Sequence, residues 1–291
     1  MNQHRLLLFI ILLLGSCASQ MRLQFDKHIV SSGHNNSIYY RAYPKGKVTS
    51  HDSVLLYLTG SGRFPAQRDF GMGADVAIAG YSVIYPQKSH IESDSIFHLK
   101  DGRDQRLRDS RAVINDLIDK GVTTIVLMAA SEGTFIAPSL ALEYPNHVKG
   151  MICLAGGLKS FRNDILYAAK HSIGAFRSLS VSAAKKAFAD IAANPDDSTR
   201  FWFGHTYRFW SGYLNYVPAF DVEKLNIPVL YMNGTGDEID RHGQDGEVLR
   251  LQSKGINLHQ IWYTGVGHNL GVVSKQLGRD ILDWGKQNGL F

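Results

Sequence analysis

Three observations predict an α/β fold, a mostly parallel sheet covered by helices and carrying a helical cap insertion. Short apolar or β-branched runs recur along most of the 291 residues. Helix-length amphipathic segments separate several of these runs, as crossovers between parallel strands require. One gap, residues 158–226, is far longer than the rest and has a helical pattern of its own.

The chain opens on an export signal. Residues 1–16 hold a polar start with Arg5, an unbroken apolar run from Leu6 to Leu14, and small residues after it. That run is too short to span a ~30 Å bilayer as a helix but suits a signal-peptide core. The boundary "LLGSC" resembles a bacterial lipobox. The resemblance implies that Cys17 is the lipidated first residue of a mature domain, 17–291, and that the protein is an exported lipoprotein of the cell envelope with the membrane as a partner. Ala18 and Ser19 lack the aspartate associated with inner-membrane retention in such lipoproteins, so the outer membrane is expected where the cell has one. Ordinary cleavage after a small residue is the alternative.

The chain holds two cysteines. With Cys17 acylated, Cys153 has no intramolecular disulfide partner, and its setting in "GMICLAGG" reads as packing in a buried strand. A hydrophobic content of 44% is enough for a large core in one domain. The net charge of +5 is unclustered, which gives no footprint for nucleic acid.

Taken in order, "MRLQFDKHIV" and "NSIYYRAYP" alternate like an antiparallel pair joined by the turn-forming "SSGHNN". Strand-like runs follow at 53–60, 81–88, 123–130, 148–157, 227–237 and 257–268. Helical spacing covers 104–120, 132–144, 244–254 and 272–287. The long insertion reads as helices in "FRNDILYAAKHSIGAFRSL" and "SAAKKAFADIAANP", followed by the aromatic-rich "FWFGHTYRFWSGYLNYV". An insertion of that length is not bare loop, and its expected place is over the strand C-termini. Its aromatics, from Phe201 to Tyr216, either line a substrate pocket or form the cap's own core.

Open parallel sheets bind ligands beyond the C-terminal ends of their strands. Three residues fall there: Ser131 after "TTIVLMAA", Asp237 at the end of "IPVLYMNGTGD", and His268 at the end of "IWYTGVGH". Ser131 sits where a strand pattern breaks into a helical one, the turn that lifts a nucleophile above a sheet. The same place also suits a plain helix N-cap.

In the order serine, acid, histidine, the chain resembles the α/β-hydrolase superfamily over roughly residues 48–289. "AASEGTF" matches its nucleophile turn, "NGTGDEID" its acid loop and "GVGHNL" its histidine loop. "SEGTFIAP" with "YPNHVKGMICLAGG" is most similar to esterases and serine-peptidase relatives with a Ser-Glu-Gly elbow. Two positions depart from the pattern: Ala129 replaces the first glycine of the elbow, and Thr59 in "LTGSG" replaces a histidine.

The resemblance implies a serine hydrolase that cleaves carboxylic esters through an acyl-enzyme. Ser131 is then the nucleophile, His268 the base and Asp237 its orienting acid, with the backbone N–H groups of Ser61 and Glu132 meeting the oxyanion. The implied partner is a small-molecule ester or amide, with no cofactor. A peptidase or amidase on the same triad and a non-catalytic binding lipoprotein are the rival readings.

Other residues are weighed against these. Asp240 and Asp245 are alternative acids, and Arg103 or Arg106 are candidates to approach an acidic substrate. The Glu132 side chain is expected only to complement a helix N-terminus, and His205 to be packed or at the surface. None of the twelve histidines falls in His-x-His or His-Glu-x-x-His spacing, so no metal site is expected.

Overall fold

The computed structural model describes residues 22–32, 35–45 and 52–291. Residues 1–21, with the expected export signal and Cys17, and part of the first turn lie outside the described residues. Ten strands are numbered in chain order: β1 (Leu23–Ser32), β2 (Asn35–Pro44), β3 (Ser53–Leu58), β4 (Ser82–Gln87), β5 (Thr124–Ala130), β6 (Val148–Leu154), β7 (Phe201–Trp202), β8 (His205–Thr206), β9 (Val229–Gly234) and β10 (Leu258–Tyr263). Eight form one sheet in the order β1-β2-β4-β3-β5-β6-β9-β10, while β7 and β8 pair as a separate small hairpin. β1 pairs antiparallel with β2, and β2 antiparallel with β4. From β4 to β10 every neighbour is parallel.

Because side chains alternate across a strand, the parallel half buries both faces. Leu56 and Leu58 of β3, with Ile125, Leu127 and Ala129 of β5, enter one core. Leu55 and Tyr57, with Val126 and Met128, enter the other. Helix α1 (Ala74–Ile78) and the C-terminal α10 (Ser274–Gln287) cover the second face. The first is covered by α3 (Arg103–Asp119), which follows α2 (Asp94–Lys100), and by α4 (Ala137–Glu143). Cys153 is fully buried in that first core, and its thiol is pushed up to about 12 by burial.

The chain between β6 and β9 folds as α5 (Phe161–His171), α6 (Val181–Ala193), the β7–β8 hairpin, α7 (Tyr207–Tyr213) and α8 (Pro218–Val222). Ser160, Ser180 and Thr206 cap the first three of these helices, each accepting a backbone N–H three residues on. The last helix before β10 is α9 (Arg241–Ser253), capped by Asp240.

The strands stop short of the sequence expectation. β6 ends at Leu154 because Ala155 turns to φ 48°, and β9 and β10 end at Gly234 and Tyr263. Asp237 and His268 therefore stand on loops beyond the strands. The helix expected over 132–144 is also broken: a tight 3-10 turn, Ser131–Phe135, precedes α4. Pro138 has no N–H for the carbonyl of Thr134, so a regular helix cannot run through this point. Among the described residues, no helix is long and apolar enough to cross a membrane.

Candidate active site

Ser131 adopts φ 51°, the left-handed region that costs a residue with a Cβ roughly 1–2 kcal/mol. The chain around it is built to allow this turn. A Cβ on Gly133 would lie 2.2 Å from the carbonyl oxygen of Leu58, so only glycine lets the elbow settle against β3. The Thr134 hydroxyl ties the turn by donating to the Ser131 carbonyl at 2.7 Å. Ala129 sits in the ladder between Leu58 and Cys153 with its methyl fully buried, so the departure from glycine at that position is accommodated.

The structure brings Ser131, His268 and Asp237 together. His268 Nε2 lies 3.0 Å from Ser131 Oγ, and His268 Nδ1 lies 2.9 Å from Asp237 Oδ1. Asp237 is buried, and its Oδ1 also accepts the Glu238 backbone N–H at 2.7 Å. Burial pulls the imidazole pKa down, but the hydrogen bond and charge of Asp237, helped by Glu238, outweigh it and raise His268 above its ordinary 6.5. The rival acids are engaged elsewhere: Asp240 caps α9 and pairs with Lys159 at 3.2 Å, and Asp245 accepts from Trp262 at 2.9 Å.

Two spaces open on either side of Ser131. A cleft of about 340 Å³ is lined by Thr59, Gly60, Ser61, Arg68, Asp69 and Asn269, together with Ser131 and His268. Ser61 thus faces the same space as the serine. Gly60 comes close as well, since a Cβ there would stand 3.1 Å from that of Ser131. A smaller slot of about 60 Å³ is walled by Phe135, Phe161, Ile165, Phe176 and Ile239, with Asp164 and Glu238 at its polar side. A larger hollow of about 530 Å³ beside β2 and β4 includes neither Ser131 nor His268 and is separate from this chemistry.

Several sequence expectations need correction. Glu132 does not merely complement a helix terminus: its side chain is fully buried, with Lys88 Nζ at 3.1 Å and Arg106 Nε at 3.8 Å, and it accepts the Tyr213 hydroxyl. Burial alone would raise its pKa, but the charges of Lys88 and Arg106 dominate and hold it ionised. Arg106 is consequently sealed inside, and Arg103 donates to the Phe135 carbonyl at 3.2 Å and Ser139 at 2.6 Å. Neither is free to meet an acidic substrate. Thr59, in place of the histidine, donates to Asp69.

Trp202 and Trp210 of the 201–216 run serve the insertion's own packing, whereas Tyr213 reaches out of it to Glu132. Trp210 and Trp202 stack edge-on at 5.0 Å, and Trp210 Nε1 donates to the Trp202 carbonyl at 2.6 Å. The slot's aromatic walls come from Phe135, Phe161 and Phe176, all outside the 201–216 run. His205 is stacked 3.9 Å from Phe209, and burial lowers its pKa to about 4.

Among the described residues, one group of side chains has metal-like spacing: Asp237, Glu238 and His268. Both nitrogens of His268 are already directed at Asp237 and Ser131, so in this arrangement no imidazole lone pair is left for an ion.

No protein-family profile matches the chain, and no curated protein matches it by sequence. Solved structures do. A fungal esterase from Rhizomucor miehei is 14% identical, with a TM-score of 0.67 over 96% of this chain and 90% of its own. A thermostable carboxyl esterase from Bacillus coagulans is 15% identical, with a TM-score of 0.64 over 92% and 99%. A proline iminopeptidase from Mycobacterium smegmatis is 12% identical, with a TM-score of 0.63 over 91% and 99%. Together with the strand order and the antiparallel β2, these likenesses identify the architecture as the α/β-hydrolase fold.

Proposed function

We propose that the chain is a serine hydrolase that cleaves carboxylic esters of short acids through an acyl-enzyme. The observation that carries this reading is the unbroken line from Ser131 Oγ through His268 to buried Asp237, with contacts of 3.0 and 2.9 Å. Ser131 Oγ attacks the carbonyl carbon while its proton passes to His268 Nε2. The resulting oxyanion is met by the N–H groups of Ser61 and Glu132, each donor of this kind contributing about 3 kcal/mol. When the tetrahedral species collapses, the C–O bond breaks and the alcohol leaves with the proton from His268. Water then attacks the acyl-enzyme, giving its proton to His268, and the acid departs as Ser131 is re-protonated. Asp237 holds the tautomer and stabilises the imidazolium without itself taking the proton.

The small apolar slot supports a short acyl group, and the wider polar cleft supports the alcohol portion. Glu238 beside the slot favours a second reading, in which the acyl group carries an amine and the substrate is an aminoacyl ester or amide. A fluorophosphonate probe separates an enzyme from a non-catalytic binding protein: labelling at Ser131 is expected, and a fully unlabelled native chain refutes the reading. A panel of p-nitrophenyl acyl esters beside aminoacyl anilides then assigns the acyl group.

The location we infer is the cell envelope, through acylation of Cys17. Loss of the protein from the membrane fraction in Cys17→Ser tests it, and equal incorporation of labelled palmitate by Cys17→Ser rejects it.

A further inference from the structure

Thr59, Gly60 and Ser61, in the loop after β3, border the cleft in front of Ser131, and Glu132 directly follows the nucleophile. The loop reads Thr-Gly-Ser-Gly, and Gly62 has φ 95°, so few side chains of its own can fix it. Lys88, one residue beyond β4, is only 3% exposed. Its Nζ donates to the Gly62 carbonyl at 3.0 Å and to Glu132 Oε2 at 3.1 Å. Resting on the acyl-transfer reading above, we propose that Lys88 is a positioning residue that sets the spacing of the Ser61 and Glu132 amides by gripping both segments at once.

The surrounding groups fit this role. Arg106 Nη2 donates to the Thr59 carbonyl at 3.3 Å, so the carbonyls of Thr59 and Gly62, on either side of Ser61, are both held by buried cations. Tyr213 grips the other oxygen of Glu132. A fully buried carboxylate held from three directions leaves its own backbone little freedom, and that backbone carries the second amide. Stability alone is a poor reason for such a cluster, because an apolar replacement of a buried ion pair is often as stable or more so. Geometry is a better one: a misplacement of about 1 Å can cost 10²-fold in rate.

The test uses the full chain with Lys88→Met, Lys88→Arg and Lys88→Met/Glu132→Gln, assayed on p-nitrophenyl acetate and with an alkyl trifluoromethyl ketone, which forms a tetrahedral adduct on serine. Lys88→Met is expected to lower kcat about 30- to 100-fold with KM within about threefold. Affinity for the ketone should fall by the same factor, and Lys88→Arg should recover part of both. The double variant removes a cation and an anion together, so it keeps the fold even if Lys88→Met alone does not. Its kcat and ketone affinity should stay low while its melting temperature returns toward wild type. A folded double variant with wild-type kcat overturns the proposal, as does a Lys88→Met chain in which only KM changes. A wild-type chain that neither turns over ester nor takes a fluorophosphonate overturns the acyl-transfer reading instead, and the Lys88 role with it.

Discussion

Ser131 and Glu132 are adjacent in the chain and belong to opposite kinds of electrostatic site. On one side, the Ser131–His268–Asp237 line opens to a cleft, and the His268 side chain is 49% exposed. On the other, Glu132, Lys88, Arg106, Asp101 and Tyr213 are all sealed. The open group is polarised along one direction, from buried acid to half-buried serine, as proton transfer requires. The sealed group sets two cations against the Glu132 carboxylate, with the Asp101 carboxyl near enough to feel their charge, as burial requires. A single residue step thus separates groups suited to move a proton from groups suited to hold a shape.

The largest effects are expected at the open site. Ser131→Ala and His268→Ala are each expected to reduce turnover by about 10⁴-fold or more with the melting temperature little changed, and the double variant should be scarcely worse than either. Partial activity in purified Ser131→Ala, with contaminating hydrolases excluded, would return Ser131 to an N-cap role. Asp237→Asn should cost on the order of 10²- to 10⁴-fold through the wrong imidazole tautomer. Asp240→Asn, at the cap of α9, should show only a small loss measured in the same assay.

The sealed site should answer in stability. Glu132→Ala leaves Lys88 and Arg106 without their shared carboxylate and is expected to destabilise the fold by about 3–5 kcal/mol in urea unfolding. A loss of turnover with unchanged stability would erase the contrast between the two sites.

Smaller effects sharpen it. Phe176→Ala removes one wall of the slot and should move preference toward longer acyl esters, changing relative kcat/KM by about 10-fold. Trp202→Ala or Trp210→Ala, by contrast, should lower the melting temperature and reduce all substrates alike. The pH profile distinguishes the two sites as well. His268 must be neutral to accept a proton, and its pKa is raised, so kcat/KM should climb through an inflection above 6.5. Burial, with the charge of Glu132 adding, raises Asp101 to about 7 in the folded chain, against an ordinary 3.8. The folded state then binds this proton more tightly than the unfolded one. Its contribution is fully present below about 3.8 and is lost as pH rises through about 7. Asp101→Asn should flatten that part of the stability curve, measured by urea unfolding from pH 4 to 8.

The framework of the open site was legible in sequence because each of its parts has a local signature. A β-branched run, a small-residue break and a helical pattern place Ser131, while glycine-rich loops at strand ends place Asp237 and His268. The sealed site had no such signature. Lys88 and Tyr213 lie 44 and 81 positions from Glu132, so no spacing joins them. A lysine closing the β-rich "YSVIYPQK" is the one available sign, since a charge at the end of a buried strand needs a partner. The aromatic insertion left two readings open for a related reason: composition marks a residue for burial but does not say whether it is buried against neighbours or beside an open slot. Phe161 is set against Phe135 by a 4.0 Å stack that only the folded chain creates.

The left-handed turn at Ser131 also bears on how such a chain changes over generations. At φ 51°, glycine is the residue of lowest backbone strain, and Ser131→Gly is expected to raise the melting temperature while ending catalysis. Selection for foldedness alone therefore pushes this position away from serine. A lineage in which the cleft fell idle would have a downhill route to losing its nucleophile, and a serine at this position is a trait that only continued use of the cleft can keep.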